Sequence, residues 1–311
     1  MFKILKKIGT SKNILCTIAT GTHYKIFTKY SYKSWKLYAK NHNLGIIVIS
    51  DEIDKSDSAK KANWQKYLIG EFLYKNVSKK IRNIAYLDSD IIINPESPNI
   101  FKYHNENKIS VVSVHHNLPF SLNKILKTVS FYRNKYYSKK YPLNSSIFFT
   151  PKEKYKFHKY KVFKDYYCSG LFVFNCRKFK NFFNRFYFKY TKDDVSLTGG
   201  DQSAFNYEIN KLGKIKILDY KFQAIWLYEM AWKYPFLYRP NVDKNIIKEC
   251  INASLRDNYF LHFAGAWHES KMIEAGTFPY DKKNYKEFLK LYKYINLKIK
   301  PKPYGPVKPK N

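Results

Sequence analysis

Short apolar runs alternate with helical spacings along the first third of the chain. Ile14 to Ala19 is apolar and ends in Thr20-Gly21-Thr22; Phe27, Tyr30, Ser34 and Leu37 then recur at helical spacing until Asn41 to Gly45 breaks the pattern. That order predicts strand, turn, helix. Ile46 to Ile49 predicts a second strand ending near Asp51. Ala59 to Tyr74 predicts a second helix with Leu68, Ile69, Phe72 and Leu73 facing inward, and Ile84 to Leu87 a third strand. Strands alternating with helices predict an α/β fold built on a parallel or mostly parallel sheet flanked by helices. Ligands of such sheets gather outside the carboxyl ends of the strands, where Thr20, Asp51 and Asp88 stand.

Further along, strands are predicted at Ile109 to Val114, Gly170 to Phe174 and Ile215 to Leu218, and helices at Arg177 to Tyr190 and from Asp201-Gln202 to Gly213. A late apolar run spans Tyr259 to Phe263. Residues 116–165 are crowded with Lys, Tyr and Phe and show no clean period, so this stretch reads as an acceptor-side insertion of the kind that carries specificity. The expected organisation is a core over residues 1–220, a segment over 221–295 that completes the site, and a Lys/Pro tail over 296–311.

Composition narrows the partners. With 45% hydrophobic residues, a chain of 311 residues can bury an ordinary core. A net charge of +33 attracts phosphates, nucleic acids and anionic membranes through the summed field. The four cysteines, Cys16, Cys168, Cys176 and Cys250, show no CxxC pairing and sit in or beside apolar runs, which predicts buried free thiols in a reducing compartment. No run is long and apolar enough to cross a membrane, and Met1 to Lys12 lacks a signal core. The expectation is a cytoplasmic protein whose basic surface can rest on the cytoplasmic face of an anionic membrane.

The clearest candidate chemistry is Asp88-Ser89-Asp90, at the exit of the apolar run Ile84 to Leu87 and before Ile91-Ile92-Ile93-Asn94-Pro95. Two carboxylates two residues apart at a strand end can present oxygens to one hard divalent cation, which in turn can bridge the oxygens of a departing diphosphate. Alone, Asp-x-Asp is a common surface pattern.

Four motifs occur together in order: Tyr86 to Pro95, the Gly170-containing strand ending at Asn175, Asp201-Gln202, and His262-Phe263-Ala264-Gly265. In this the stretch from Ile14 to His268 resembles the family 8 glycosyltransferases, the glycogenin-like and lipopolysaccharide-galactosyltransferase-like enzymes. The resemblance implies a GT-A fold, a nucleotide-sugar donor, and manganese or, failing that, magnesium. It places Asp88, Asp90 and His262 as metal ligands, and Asp201 and Gln202 beside the transferring sugar as catalytic candidates. Thr20 and Tyr24 fall where the family reads the nucleoside. Lys66, Ser89, Gly265 and His268 fall at donor contacts, with Gly265 letting the backbone approach the diphosphate.

The chain departs from the family at the places that read base and sugar. Lys66 stands where an Arg is common and cannot reproduce its bidentate fork. Gly21 replaces an acidic residue, Cys168 an Asn, and His268 a Lys. The implied function is transfer of a hexose, with retention, from a nucleotide diphosphate sugar, uridine by expectation, to a glycan, lipid-linked or protein-linked hydroxyl. The alternatives are a nucleic-acid-binding protein using its 29 Tyr and 24 Phe as stacking platforms, or a sugar-nucleotide nucleotidyltransferase. No nucleic-acid-binding module is recognisable, and no Gly-rich phosphate loop opens the chain, so no specific nucleic acid is expected.

Overall fold

A computed structural model describes residues 2–137, 146–191 and 200–277. The chain divides into a compact unit, Met1–Thr277, and a second, Phe278–Asn311. The expected tail over 296–311, the end of the segment 221–295 (278–295) and part of the insertion (138–145) lie outside the described residues. Among the described residues no helix is long and apolar enough to cross a membrane.

Among the described residues there are ten strands: β1 (Phe2–Lys6), β2 (Asn13–Ile18), β3 (Gly45–Ile49), β4 (Asn83–Leu87), β5 (Ile91–Ile93), β6 (Ile109–Ser113), β7 (Tyr167–Asn175), β8 (Ile215–Leu218), β9 (Ala224–Ile225) and β10 (Phe260–His262). Seven form the main sheet in the order β1-β3-β2-β4-β7-β6-β8, and β5-β10-β9 form a small second sheet. The interior strands are buried on both faces, so they read as unbroken apolar runs. Alternate residues feed two cores. Ile14, Cys16, Ile84, Tyr86, Phe172 and Phe174 pack on one side of the sheet, and Leu15, Ala85, Leu87, Leu171 and Val173 on the other. A third core gathers Trp226, Tyr238, Ile251 and the buried face of the insertion.

The α/β expectation holds, with a mixed sheet. Strands β2, β3, β4, β6 and β8 run one way, whereas β7 is antiparallel to both β4 and β6. Burial on both faces makes the apolar run of β7 the same whichever way it points, so direction leaves no mark in the pattern. Strand β1 was not expected at all. It is an antiparallel edge strand on β3, and its lysines suit an edge that must not recruit further strands.

Three local expectations shift. The first helix, Gly21–Ile26 continuing through a π-turn at Phe27–Ser31 into Tyr32–Asn41, buries Phe27, Ser31, Trp35, Tyr38 and Ala39, while Ser34 and Leu37 are only half-buried. Trp35 and Tyr38 take the inward face because each has a polar tip with a partner: Trp35 Nε1 donates to the Ile91 carbonyl at 2.7 Å and Tyr38 Oη to that of Pro98 at 3.0 Å. The predicted helix over residues 59–74 begins at Ala62 and passes through a 3₁₀ turn, Lys66–Leu68, before Ile69–Asn76. Its inward residues are Leu68, Ile69 and Leu73, with Phe72 half-buried. The insertion is partly ordered into helices Leu122–Tyr132 and Pro151–Phe157. The second opens with a capping box between Thr150 and Glu153 and a proline at its first position, a legible signal that aromatic crowding hides. All four cysteines are buried free thiols.

Candidate metal centre

The small sheet brings distant parts of the chain to one point. Strand β5 starts immediately after Asp90 and pairs antiparallel with β10, placing His262 opposite Ile91, and the Phe263 N–H donates to the Asp90 carbonyl at 3.2 Å. On its other side β10 pairs with β9, whose first residue follows Gln223. Asp88 leaves the end of β4, where its N–H donates to the carbonyl of Gly170 on β7 at 2.8 Å.

Asp88, Asp90 and His262 therefore converge, with one ligand atom of each lying within 4.8 Å of the others. His262 Nε2 is 3.6 Å from Asp88 Oδ2 and 3.3 Å from Asp90 Oδ1. Asp90 Oδ1 is buried, and its one close polar neighbour among the described residues is the His262 imidazole. A buried, unsatisfied carboxylate oxygen is costly unless something electropositive answers it. Two carboxylates and one imidazole make a donor set that can hold a divalent metal ion. Tyr86 Oη donates to Asp88 Oδ1 at 2.6 Å, and burial, reinforced by the Asp88 charge, holds the phenol well above its ordinary pKa and keeps it a donor. Burial opposes charge on His262, but Asp90 prevails and holds the imidazole pKa well above its ordinary value.

The other imidazole nitrogen has its own support. His262 Nδ1 lies 3.2 Å from the Gln223 side-chain nitrogen, and the Gln223 oxygen is buried without a partner. Turning the amide over would set its oxygen, in place of its nitrogen, against Nδ1. The oxygen then accepts from Nδ1–H and leaves Nε2 directed at the two aspartates, where a bound metal would take the place of its proton. Cys168 Sγ stands 3.8 Å from the same Nδ1.

Beside this centre lies a buried ion pair. Lys66 Nζ is 2.7 Å from Asp201 Oδ2 and donates to Ser169 Oγ at 3.1 Å, with Lys66 and Asp201 side chains 3% and 7% exposed. Burial works against the Lys66 charge, yet Asp201 and then Asp88 raise its pKa above the ordinary lysine value. Asp201 also accepts from Tyr67 Oη and from Asn63 Nδ2. Both its oxygens are thus engaged, whereas its neighbour Gln202 is half-buried at the start of the helix Gln202–Leu212.

The remaining predicted residues lie as follows. Ser89 is buried, and its carbonyl accepts from Ser31 Oγ at 2.8 Å, so the π-turn grips the middle of Asp88-Ser89-Asp90. Thr20 precedes the helix that begins at Gly21. Tyr24 is half-buried and takes Lys3 on its hydroxyl at 3.0 Å, with the ammonium 4.6 Å from the ring centre. Gly265 has φ +88, a left-handed conformation that by itself favours glycine. His268 is exposed, its ring centre 4.5 Å from that of Tyr137. Sequence reasoning missed Gln223, Tyr86, Tyr67 and Ser31, since isolated residues of these types inside apolar runs carry no pattern.

No protein-family model matches the chain, and neither does any curated protein sequence. Solved structures do. A glycosyltransferase involved in the glycosylation of the major capsid of PBCV-1 is similar over 84% of this chain and 98% of its own at 10% identity, with a TM-score of 0.48. The glycosyltransferase GlyE of Streptococcus pneumoniae TIGR4 is similar over 94% of this chain and 65% of its own at 10% identity, with a TM-score of 0.45. The bifunctional glycosyltransferase WbbM is similar over 84% of this chain and 46% of its own at 11% identity, with a TM-score of 0.42.

Proposed function

We propose that this chain is a metal-dependent glycosyltransferase that moves a hexose from a nucleotide diphosphate sugar, UDP-linked by preference, to a hydroxyl of a glycan, lipid-linked or protein-linked acceptor, with retention of configuration. The observation that carries the reading is the convergence of Asp88, Asp90 and His262, with one ligand atom of each within 4.8 Å of the others. A bound manganese or magnesium ion would supply neutralisation of the charge that develops on the departing diphosphate.

The chain's own groups set up the rest. Tyr86 orients Asp88, and Gln223 orients the imidazole that would complete the ligand set. Lys66 and Asp201 hold each other, Ser169 and the start of the helix Gln202–Leu212 in place. That leaves Gln202, with Asp201 behind it, to face the sugar, where an amide oxygen can stabilise the positive charge of an oxocarbenium-like centre. Gly265 and His268 lie on the segment directly after His262 and are assigned to the diphosphate side.

The test is a thermal-shift and hydrolysis screen of nucleotide sugars with the purified full chain and manganese or magnesium. At least one nucleotide sugar is expected to stabilise the protein and be hydrolysed only when the metal is present. Failure to bind or hydrolyse any of them with either metal overturns the reading.

A further inference from the structure

A partly buried cation lies on the insertion. Lys154, on the helix Pro151–Phe157 of the insertion, is partly buried, and among the described residues no Asp or Glu lies within ion-pair distance of its amine. Its contacts are the His115 imidazole, with Nζ 3.3 Å from Nε2, and the Tyr166 ring, whose centre is 4.5 Å away. The imidazole is a neutral acceptor, since burial, and then the Lys154 charge, push its pKa down to about 3. Burial likewise pushes the Lys154 amine down to about 8. An ammonium withdrawn from water and given only neutral neighbours is a group that an anion would stabilise.

Its place in the fold points the same way. His115 follows β6 at the carboxyl end of that strand, Tyr166 precedes β7, and Ser113 of β6 pairs with Tyr167 of β7. Because β7 is antiparallel to β4 as well, with Leu87 opposite Leu171, this is the sheet edge that carries Asp88. Tyr166 Oη is 2.7 Å from Ser203 Oγ, one residue beyond Gln202. The amine therefore sits over a ring whose hydroxyl is tied to the start of the Gln202 helix, on the same edge as the metal centre. The nearby acid, Asp165, is spoken for: its Oδ1 accepts from Ser113 Oγ, His116 Nδ1 and the Tyr166 N–H.

We propose that Lys154, seated against His115 and Tyr166 at the carboxyl end of β6, is the charge contact for an acceptor that bears an anionic group, a phosphate or a carboxylate. The proposal rests on the glycosyltransferase reading for the word acceptor, and on the geometry alone for the anion site. It assigns to the insertion a chemical preference: a sugar carrying negative charge near the hydroxyl that is to be glycosylated.

The test titrates the full chain, with manganese and UDP in excess to fill the donor site, with glucose 6-phosphate, glucuronate and glucose. Wild type is expected to bind at least one charged sugar about tenfold or more tightly than glucose. Lys154→Met is expected to abolish that difference, and Lys154→Arg to retain part of it. Preference for only one charged sugar identifies the anion as phosphate or carboxylate. Equal binding of all three sugars, or no binding of any, overturns the proposal, and so does an undiminished preference in Lys154→Met. Circular-dichroism melting of each variant checks the fold, and Lys154→Gln replaces Lys154→Met if the latter melts early. Absence of UDP binding in the same titration is a failure of the uridine preference within the glycosyltransferase reading, and it reads separately from the sugar preference.

Discussion

Gly170 is pressed against His262: a Cβ placed on this glycine would overlap the imidazole Cε1 and stand 2.6 Å from Asp88 Oδ2 and 3.1 Å from Gln223 Nε2. Strand β7 thus passes under the candidate metal centre with no room for a side chain. Gly170→Ala would have to push the imidazole away from the aspartates, because the strand backbone is fixed by pairing on both sides. The expected result is loss of manganese binding by about a hundredfold or more with the sheet intact, since ligand sets tolerate little displacement. Calorimetric titration of manganese into wild type and variant measures it. Unchanged affinity would show that His262 is not needed where it stands.

Gln223 supplies a second test of the same centre, from outside the ligand set. If its amide oxygen holds Nδ1–H, Gln223→Leu frees the ring to rotate and removes the acceptor, and metal affinity should fall about 10–100-fold. Gln223 is 1% exposed, so Leu fills the space without exposing the site. A variant that binds manganese as tightly as wild type would remove Gln223 from the account.

These two residues also mark where the sequence stops being legible. Asp88 and Asp90 were readable as paired carboxylates at a strand end, His262 only through the resemblance to the family 8 enzymes, and the structure gathers all three. Gly170 was readable as part of a strand but not as the floor of the centre. That role depends on β7 running antiparallel between β4 and β6, and a strand buried on both faces hides its direction. Gln223 is brought to His262 by a two-residue strand, Ala224–Ile225, too short for any period to reveal. The helical spacing of Phe27, Tyr30, Ser34 and Leu37 does not show which face of the first helix is buried, for a related reason: Trp35 and Tyr38 turn inward because their polar tips find carbonyls, and those lie on other segments.

The Lys66–Asp201 pair yields a stability prediction. Removing one partner of a buried pair leaves an uncompensated charge in a poor solvent, at a cost of about 3–5 kcal/mol. Lys66→Met should therefore destabilise the fold by about that much in urea unfolding. Lys66→Met combined with Asp201→Asn should cost less than the two single changes together, because no charge is then stranded. Strict additivity would mean that Tyr67 and Asn63, rather than Lys66, hold Asp201.

Acid should weaken the fold through His104, which lies far from any proposed chemistry. Its Nδ1 is 2.7 Å from Ser110 Oγ, and its Nε2 is buried without a partner, so protonation would create an N–H with nothing to receive it. Burial pushes its pKa down from 6.5 to about 4, against a smaller opposing pull from Glu106. Between those values the unfolded chain binds a proton that the folded chain refuses, so stability rises with pH across the window and is lost as pH falls from about 6.5 toward 4. Below the folded value both states are protonated and this contribution has no further slope. The full loss amounts to about 3 kcal/mol for one histidine. His104→Gln keeps a hydrogen-bonding group for Ser110 and cannot titrate, so urea midpoints measured at pH 7 and pH 4.5 should differ less in the variant than in wild type. The same difference in both proteins would assign the acid sensitivity elsewhere, with His115, also neutral through burial, the next histidine to replace.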